Sequence, residues 1–308
     1  MKFAVDGMGG DYSPGEIVKG SVLASKEYGV EIVITGPLDL INKELEKYTY
    51  DKDKITVVNA TEVISLEESP VLAIRRKKDS SLRKAFDLEK EGKVDGVISA
   101  GSTGALLAGG LLLTGRIKGV DRAALGSLMP GKNNEFMLLD LGANADIKAH
   151  NLVEFAKMGT VYFETIMGKK NPTVGLINIG AEAEKGNELT KEGYILLNDE
   201  KNINFVGNVE PREISNGDVD ILVADGFTGN VILKMYEGVS KNLMYMIKEE
   251  MLKTFRGKLG GLLLKPSLKS LLKRNDYKET GGAVLLGING IVVKAHGTSD
   301  SHAFKNAI

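Results

Sequence analysis

The 308-residue sequence contains no cysteine and only three histidines, His150, His296 and His302. The absence of cysteine excludes disulfides, thiolate metal ligands and a cysteine nucleophile. The sequence also has no HExxH motif, which would indicate a metal site, and no GxSxG motif, which would indicate a serine hydrolase. We therefore expect no metal and no cofactor. Backbone amides, hydroxyls, carboxylates and lysines remain as the groups that could carry a reaction.

A large net charge and a long hydrophobic run are absent as well. The chain has 40 basic and 41 acidic residues, so we expect no nucleic-acid partner. The longest apolar stretch, residues 104–115, is too short to span a bilayer. Asp6 interrupts the start of the chain, where an export signal would be apolar. These features predict a cytoplasmic globular protein.

Short β-rich runs alternate with helical patterns from residue 2 to residue 226. The predicted strands are KFAVD (2–6), EIVITG (31–36), ITVVNA (55–60), DGVISAG (95–101), FMLLDLGA (136–143), TVGLINIG (173–180), INFVGN (203–208) and DILVADG (220–226). Several are apolar almost throughout, as is typical of strands covered by helices on both faces. The pattern predicts a three-layer, doubly wound, mostly parallel α/β sheet in a single domain over residues 1–308.

The alternation stops after residue 226, where a long helical segment is predicted. Apolar residues at positions 232, 235, 239, 243 and 246 form one helical stripe. A continuous helix over 228–255 would be about 40 Å long, so part of it would project or pack on a second subunit. We therefore assign residues 228–275 to dimer contact, membrane contact or both. The chain then returns to the sheet at 283–297, with a turn at GING.

A leucine-rich stretch, residues 257–275, lies within this segment. Leu264, Leu268, Leu271 and Leu272 share one predicted face, flanked by lysines. Such a face fits a dimer interface, an anionic lipid surface or an acidic protein.

Four glycine-containing segments follow predicted strands. They are DGMGG (6–10), GSTG (101–104), DLGANAD (140–146) and DGFTGN (225–230). Ligands of open α/β sheets bind at the carboxyl ends of the strands. Glycine is common in any turn, but the recurrence of Asp or Asn beside it favours a binding site.

Neither of two nucleotide motifs is complete. The first glycine segment has Tyr12 where a dinucleotide fingerprint needs its third glycine. The segment 126–133 matches GxxxxGK, but Asn133 replaces the residue that would hold magnesium, and a strand-like run follows it. We interpret the first segment as a different anion loop and the second as a hairpin turn.

The remaining groups suit an anion such as phosphate. Ser102 and Thr103 could cap a helix and donate to an oxyanion, and Lys185 precedes a predicted helix start. Asn230 lies at the head of the long helix. His296, a lone histidine, is expected to be structural or to position the substrate.

Six segments in order resemble the bacterial phosphate acyltransferase (PlsX) family. They are DGMGGDYSP, SAGSTGAL, LDLGANAD, NIGAEAEKGNELT, DGFTGNV and HGTSDSHAF, and they extend over essentially the whole chain. Ser102 stands where the family more often has asparagine. The resemblance implies transfer of a fatty acyl group from acyl carrier protein to inorganic phosphate, for phospholipid synthesis. It also implies a fold similar to phosphotransacetylases and isopropylmalate dehydrogenases, a homodimer, and peripheral attachment to the membrane that holds a glycerol-3-phosphate acyltransferase.

On this resemblance we assign candidate residues to four roles. Catalytic roles go to Lys185, Asn230 and Asp225, and phosphate or oxyanion binding to Gly101, Ser102, Thr103, Gly104 and Asn187. Shaping of the cleft goes to Asp6, Gly9, Gly10, Asn144, Asp146 and His296. Membrane or partner contact goes to Leu263, Leu264, Leu268, Lys265 and Lys269, and RRKK (75–78) is a candidate landing site for the acidic carrier protein. The alternatives are a short-chain phosphotransacetylase that uses acyl-CoA and a non-catalytic membrane-recruiting scaffold.

Overall fold

A computed structural model describes residues 1–65, 67–274, 279 and 281–308, with residues 270–274 described as helical backbone. The chain divides into two compact units. Unit 1 comprises Met1–Ser127 and Thr280–Ile308, and unit 2 comprises Leu128–Glu279. The assignment of residues 1–308 to one catalytic domain stays a prediction.

The strands and helices are numbered here in chain order. The strands are β1 (Lys2–Asp6), β2 (Glu31–Gly36), β3 (Ile55–Asn59), β4 (Gly96–Ser99), β5 (Ala124–Met129), β6 (Phe136–Leu139), β7 (Thr173–Ile177), β8 (Asn204–Val209), β9 (Ile221–Val223), β10 (Gly282–Leu286) and β11 (Ile291–Ala295). The α-helices are α1 (Gly15–Tyr28), α2 (Leu38–Leu45), α3 (Pro70–Arg76), α4 (Ser81–Lys90), α5 (Thr103–Gly109), α6 (Ala149–Thr165), α7 (Glu188–Asp199), α8 (Gly226–Leu252), α9 (Phe255–Arg274) and α10 (Ser301–Ala307). A π-helical turn follows α5 at Gly110–Thr114, and a 3₁₀ turn lies at Ile214–Asn216.

Unit 1 contains a mixed sheet in which five neighbouring strands are parallel. Their order is β3-β2-β1-β4-β11, followed by β10 and β5, each antiparallel to its neighbour. Strand β1 lies at the centre of the parallel part, with Ala4 and Val5 fully buried. Helix α1 packs Ile17, Val18 and Val22 into the same core. Strands rich in β-branched residues favour this doubly covered position.

Unit 2 contains four parallel strands in the order β6-β9-β7-β8. Strands β6 and β9 are buried along their whole length. Helix α6 brings Leu152, Phe155 and Phe163 into the core of the unit. The prediction of a mostly parallel α/β fold is confirmed in both units.

The predicted strands are all present, and most are one to four residues shorter than predicted. Strand β5, which was not among the predicted strands, includes the first four residues of the GxxxxGK segment, 126–129. The GING segment joins β10 and β11, which are antiparallel, as predicted. Pro14 stands directly before α1, and Gly29 ends that helix in the left-handed conformation that glycine permits.

The predicted long helix is present as α8, which has 27 residues and therefore measures about 40 Å. It begins two residues earlier than predicted, because Asp225 caps it. A break at residues 253–254 separates it from α9, which contains Pro266. Residue 275, the last residue of the predicted contact segment, lies outside the described residues.

Two glycines of α8 lead to opposite expectations on substitution. A Cβ on Gly229 would overlap the backbone oxygen of Asp140, whereas a Cβ on Gly238 would meet no described atom within 4 Å. We expect Gly229→Ala to lower the free energy of unfolding by about 1–3 kcal/mol because backbone must move. Gly238→Ala should raise it by up to about 1 kcal/mol because alanine is the better helix former. Urea denaturation measures both, and equal effects would contradict the assigned close contact.

Candidate functional site

The carboxyl ends of β1, β4 and β11 meet at one edge of unit 1, because these strands are neighbours and parallel. The loops that follow them line a cavity of about 290 Å³. Its lining residues are Met8, Gly9, Gly10, Asp11, Ile64, Ser65, Ala100, Gly101, Ser102, Thr103, Lys294 and Gly297. The structure thus brings the predicted loops DGMGG and GSTG together.

A buried carboxyl holds these two loops in place. Ser99 Oγ donates to Asp6 Oδ2 at 2.7 Å, and the Met8 amide donates to Asp6 Oδ1 at 3.3 Å. The Gly101 amide in turn donates to Ser99 Oγ at 3.0 Å. Burial raises the pKa of Asp6, against the opposing effect of its hydrogen bonds. Asp6 therefore orders the backbone of the cavity wall.

Glycine is required at position 9 by the close approach of the two loops. A Cβ there would lie 2.7 Å from Asp6 Oδ2 and 2.7 Å from the Gly101 nitrogen. Gly10 has a φ of +93°, which side chains rarely adopt. The predicted role of Gly9 and Gly10 in shaping the cleft is consistent with these contacts.

Lys294 is a residue of this cavity that the sequence prediction missed. Its Nζ donates to the Ala100 carbonyl at 3.4 Å and also contacts the carbonyl of Ala295. Burial lowers its pKa to about 8, although the nearby charges of Asp6 and Asp11 oppose this. The only available signal was a lysine in an otherwise apolar strand, IVVKA.

The other predicted residues of unit 1 lie around the same edge. Ser102 caps α5, and its Oγ accepts from the Ala105 amide at 3.4 Å. Thr103 lines the cavity, whereas Gly104 does not and packs against Pro70. His296 is exposed, and its Nδ1 lies 2.9 Å from Thr298 Oγ1. The neighbouring Gly297, rather than His296, lines the cavity.

Unit 2 has a larger and mostly apolar cavity of about 530 Å³. It lies at the carboxyl ends of β7 and β9. Its lining residues are Leu152, Leu176, Ile177, Asn178, Ile179, Gly186, Asn187, Leu189, Thr190, Pro211, Ala224, Asp225, Phe227, Thr228, Val231 and Ile232. Two predicted residues, Asn187 and Asp225, are therefore brought to one cavity.

The loop after β6 is ordered by Asp140, which the prediction did not single out. Its carboxylate accepts from the amides of Ala143 at 3.0 Å and Asn144 at 2.7 Å. The side-chain amide of Asn144 also donates to the Asp140 carboxylate, at 2.9 Å. The backbone carbonyl of Asn144 accepts from the Gly226 amide at 2.8 Å. Asn144 thus links this loop to the start of α8. Asp146, in the same loop, is exposed.

Asp225 caps α8, and Asn230 lies close to the start of that helix. Asp225 accepts from the amide and the hydroxyl of Thr228, at 2.8 and 2.7 Å. The half-buried Asn230 side chain makes no hydrogen bond to the residues that the structure describes. A Cβ on Gly142 would lie 3.5 Å from the Asn230 Cγ, so this glycine keeps the surroundings of the amide open. Asp225 is thereby engaged as a cap, and the Asn230 amide is available to a ligand.

Lys185 lies in a constrained loop before α7. Its carbonyl accepts from Asn178 Nδ2 at 3.0 Å, and the lysine side chain is exposed. Gly186 follows with a φ of +94°, and a Cβ there would overlap Thr190 and Asn178. Asn187 then caps α7 by accepting from the Thr190 amide at 3.0 Å. The loop presents the Lys185 ammonium to solvent on a fixed backbone.

Nowhere in the described part of the chain do three or more acidic, histidine or cysteine side chains form a group that could hold a metal ion. Among the described residues, no helix combines the length and the apolar character that crossing a membrane requires.

The fold is that of the phosphotransacetylases. A phosphotransacetylase from Streptococcus pyogenes aligns with a TM-score of 0.63 at 17% sequence identity, covering 100% of this chain and 92% of that structure. The EutD phosphotransacetylase from Staphylococcus aureus aligns with a TM-score of 0.62 at 16% identity, with the same coverage. At this level of identity, the likeness concerns the fold alone.

Sequence comparison identifies the family. The family described as "Fatty acid synthesis protein" matches residues 1–308, and this chain belongs to it. "Phosphate acyltransferase" of Clostridium novyi (strain NT) is 61% identical over 309 residues, covering 100% of this chain and 93% of that protein. The protein of the same name from Clostridium tetani is 60% identical, with 100% and 92% coverage. The predicted resemblance to phosphate acyltransferases is confirmed.

Proposed function

We propose that this chain is a phosphate acyltransferase that transfers a fatty acyl group from acyl carrier protein to inorganic phosphate, forming acyl phosphate for phospholipid synthesis. The observation that carries the proposal is about 60% identity to phosphate acyltransferases over the whole chain. The strand-end loops of both units support it, since they offer backbone amides and cations to an anionic substrate.

The reaction needs few special groups. A phosphate oxygen attacks the thioester carbonyl carbon, the C–O bond forms, and the C–S bond then breaks to release the carrier thiolate. Phosphate is already anionic at neutral pH, and a thiol with a pKa of about 8.5 leaves readily. The protein has to orient phosphate against the thioester and stabilise the tetrahedral oxyanion. We infer direct transfer without an acyl-enzyme.

The roles of individual residues follow the sequence resemblance and the local geometry. Gly101–Gly104 are assigned to phosphate, because this loop lies beside the cavity of unit 1. Lys185 and Asn230 are assigned to the reacting groups, because their side chains are available to a ligand. Asp225 is assigned a positioning role, because it caps α8 by accepting from the Thr228 amide and so fixes the start of the helix that carries Asn230.

The apolar cavity of unit 2 supports a long-chain substrate. Leu152, Leu176 and Ile232 are among its lining residues, as expected for a site that removes an acyl chain from water.

The binding surface for the acidic carrier protein is assigned to the RRKK segment at the end of α3. Arg75 and Arg76 are exposed there, next to the exposed Leu72. Lys77 is already paired with Glu68 at 2.7 Å, so the two arginines and Lys78 supply the contact.

Contacts with a membrane and with a second copy are assigned to α8 and α9. The apolar stripe of α8 is exposed at Met235, Val239, Leu243 and Met246, which fits a homodimer contact. In α9, Leu263 is 74% and Leu264 51% exposed, and Lys265 and Lys269 are exposed beside them. Leu268 is half-buried. A face with leucines and lysines suits an anionic lipid surface, where the acyl substrate and a glycerol-3-phosphate acyltransferase would meet. We place the protein in the cytoplasm, bound peripherally to the membrane.

The activity is tested by phosphate-dependent release of free thiol. We expect release from palmitoyl-carrier protein and little release from acetyl-CoA. Faster turnover of acetyl-CoA would favour the short-chain alternative, and no release from either would favour a scaffold. A covalent acyl-protein trapped in the absence of phosphate would overturn the direct mechanism.

Substitution of Lys185 and Asn230 tests the assigned roles. We expect Lys185→Ala and Asn230→Ala each to lower turnover by about 10²–10³, as for the loss of one oxyanion donor. Lys191→Ala, which removes an exposed lysine of α7, should leave turnover unchanged. Near-normal activity of either test variant, measured in the thiol-release assay, would show that its assignment is wrong.

Co-sedimentation with anionic liposomes tests the assignment of α9. We expect Leu263→Glu and Leu264→Glu to reduce sedimentation, because each adds a negative charge to the apolar face. Leu38→Glu, at an exposed leucine of unit 1, serves as the control and should sediment like the unchanged protein. Undiminished sedimentation of both α9 variants would contradict lipid contact and favour a role of this helix in the dimer interface.

A further inference from the structure

Lys294 places a positive charge in the wall of the unit 1 cavity, within a strand that is otherwise apolar. Its neighbours in β11 are Val292, Val293 and Ala295, and the strand pairs with β4 from Ile291 to Lys294. Lysine is rare in buried strands, because its ammonium loses hydration on burial. Lys294 nevertheless lines the same cavity as Gly101 and Ser102.

The hydrogen bonds of Lys294 leave it able to bind a ligand. An ammonium has three N–H donors, and the described acceptors are two backbone carbonyls, those of Ala100 and Ala295. No carboxylate of the described residues lies within salt-bridge distance of Nζ. The charge is thus neither hydrated as at the surface nor neutralised by a direct ion pair.

We propose that the Lys294 ammonium binds the phosphate substrate in the unit 1 cavity, together with the Gly101–Thr103 backbone that lines the same cavity. The inference rests on the proposed function for the identity of the anion and adds the cation that holds it. Charge-assisted hydrogen bonds to an oxyanion are about twice as strong as neutral ones. Lys294 is a binding residue, and it takes no part in bond making.

The charges around Lys294 give the site a characteristic pH dependence. Asp6 at the end of β1 and Asp11 in the following loop both favour the charged ammonium, while burial disfavours it. Lys305 of the adjacent α10 is paired with Glu27 at 2.8 Å. Since the pKa of Lys294 is lowered to about 8, the group is cationic below that pH and loses its charge above it. Anion binding should therefore weaken as the pH rises through about 8.

A substitution measures the contribution of the charge. In the thiol-release assay, Lys294→Met should raise the KM for phosphate by about 10- to 100-fold, as expected for the loss of a hydrogen bond to a charged group. Lys118→Met, at an exposed lysine of the same unit that does not line the cavity, should leave KM unchanged. A KM within about twofold of the unchanged protein for Lys294→Met would overturn the proposal.

The pH dependence of anion binding provides a second test. Sulfate, which keeps its two negative charges between pH 7 and pH 9, is used as a competitor of phosphate. Its inhibition constant should rise by about tenfold across this range, because the ammonium deprotonates. Lys294→Arg, whose side chain stays charged, should remove this rise. A rise that Lys294→Arg leaves in place, or an inhibition constant that falls with pH in the unchanged protein, would overturn the proposal.

A binding measurement separates this inference from the proposed function. Titration of the protein with inorganic phosphate alone, followed by ³¹P NMR line width, reports binding without any acyl substrate. Phosphate binding that depends on Lys294, in a protein that releases no thiol, would support the anion site and reject the transferase activity. Thiol release with phosphate binding unaffected by Lys294→Met would reject the anion site alone.

Discussion

One buried carboxyl joins the two loops that form the unit 1 cavity. Asp6 lies at the last position of β1, accepts from Ser99 at the end of β4, and Ser99 accepts from the Gly101 amide. This chain of bonds fixes the loop carrying Gly9 against the loop carrying Gly101. Burial raises the pKa of the Asp6 carboxyl, and its hydrogen-bond donors oppose this by stabilising the charged form. The backbone geometry that this edge offers to a ligand also depends on these donors.

Unit 2 uses the same kind of interaction at a different strand. Asp140 directly follows β6, and its carboxylate accepts from successive amides and from Asn144. In both units, therefore, an aspartate at a strand end orders the loop that follows. The oxygens of both aspartates are engaged with donors of the protein. That arrangement suits a reaction whose nucleophile is already an anion.

The fold was largely predictable, because its strands are short apolar runs separated by glycine and polar residues. Helix starts near Asn187 and Asp225 are also predictable from the sequence, since asparagine and aspartate are common N-caps. Lys294 was not predicted, because its importance comes from the pairing of β11 with β4, which joins residues about 195 positions apart. Residues 281–308 likewise return to the unit that begins the chain, through the pairing of β11 with β4. Long-range pairing leaves little trace in local sequence.

Pro266 in the middle of α9 affects more than the shape of that helix. Proline has no amide hydrogen, so the carbonyl four residues earlier, that of Leu262, lacks its usual helical donor. Gly257, Gly260 and Gly261 further weaken the helix, because glycine disfavours helical backbone. A helix of this composition gains order mainly when another surface covers its leucines. In the attachment proposed for α9, part of the binding free energy goes into ordering the helix, so we expect that attachment to be reversible.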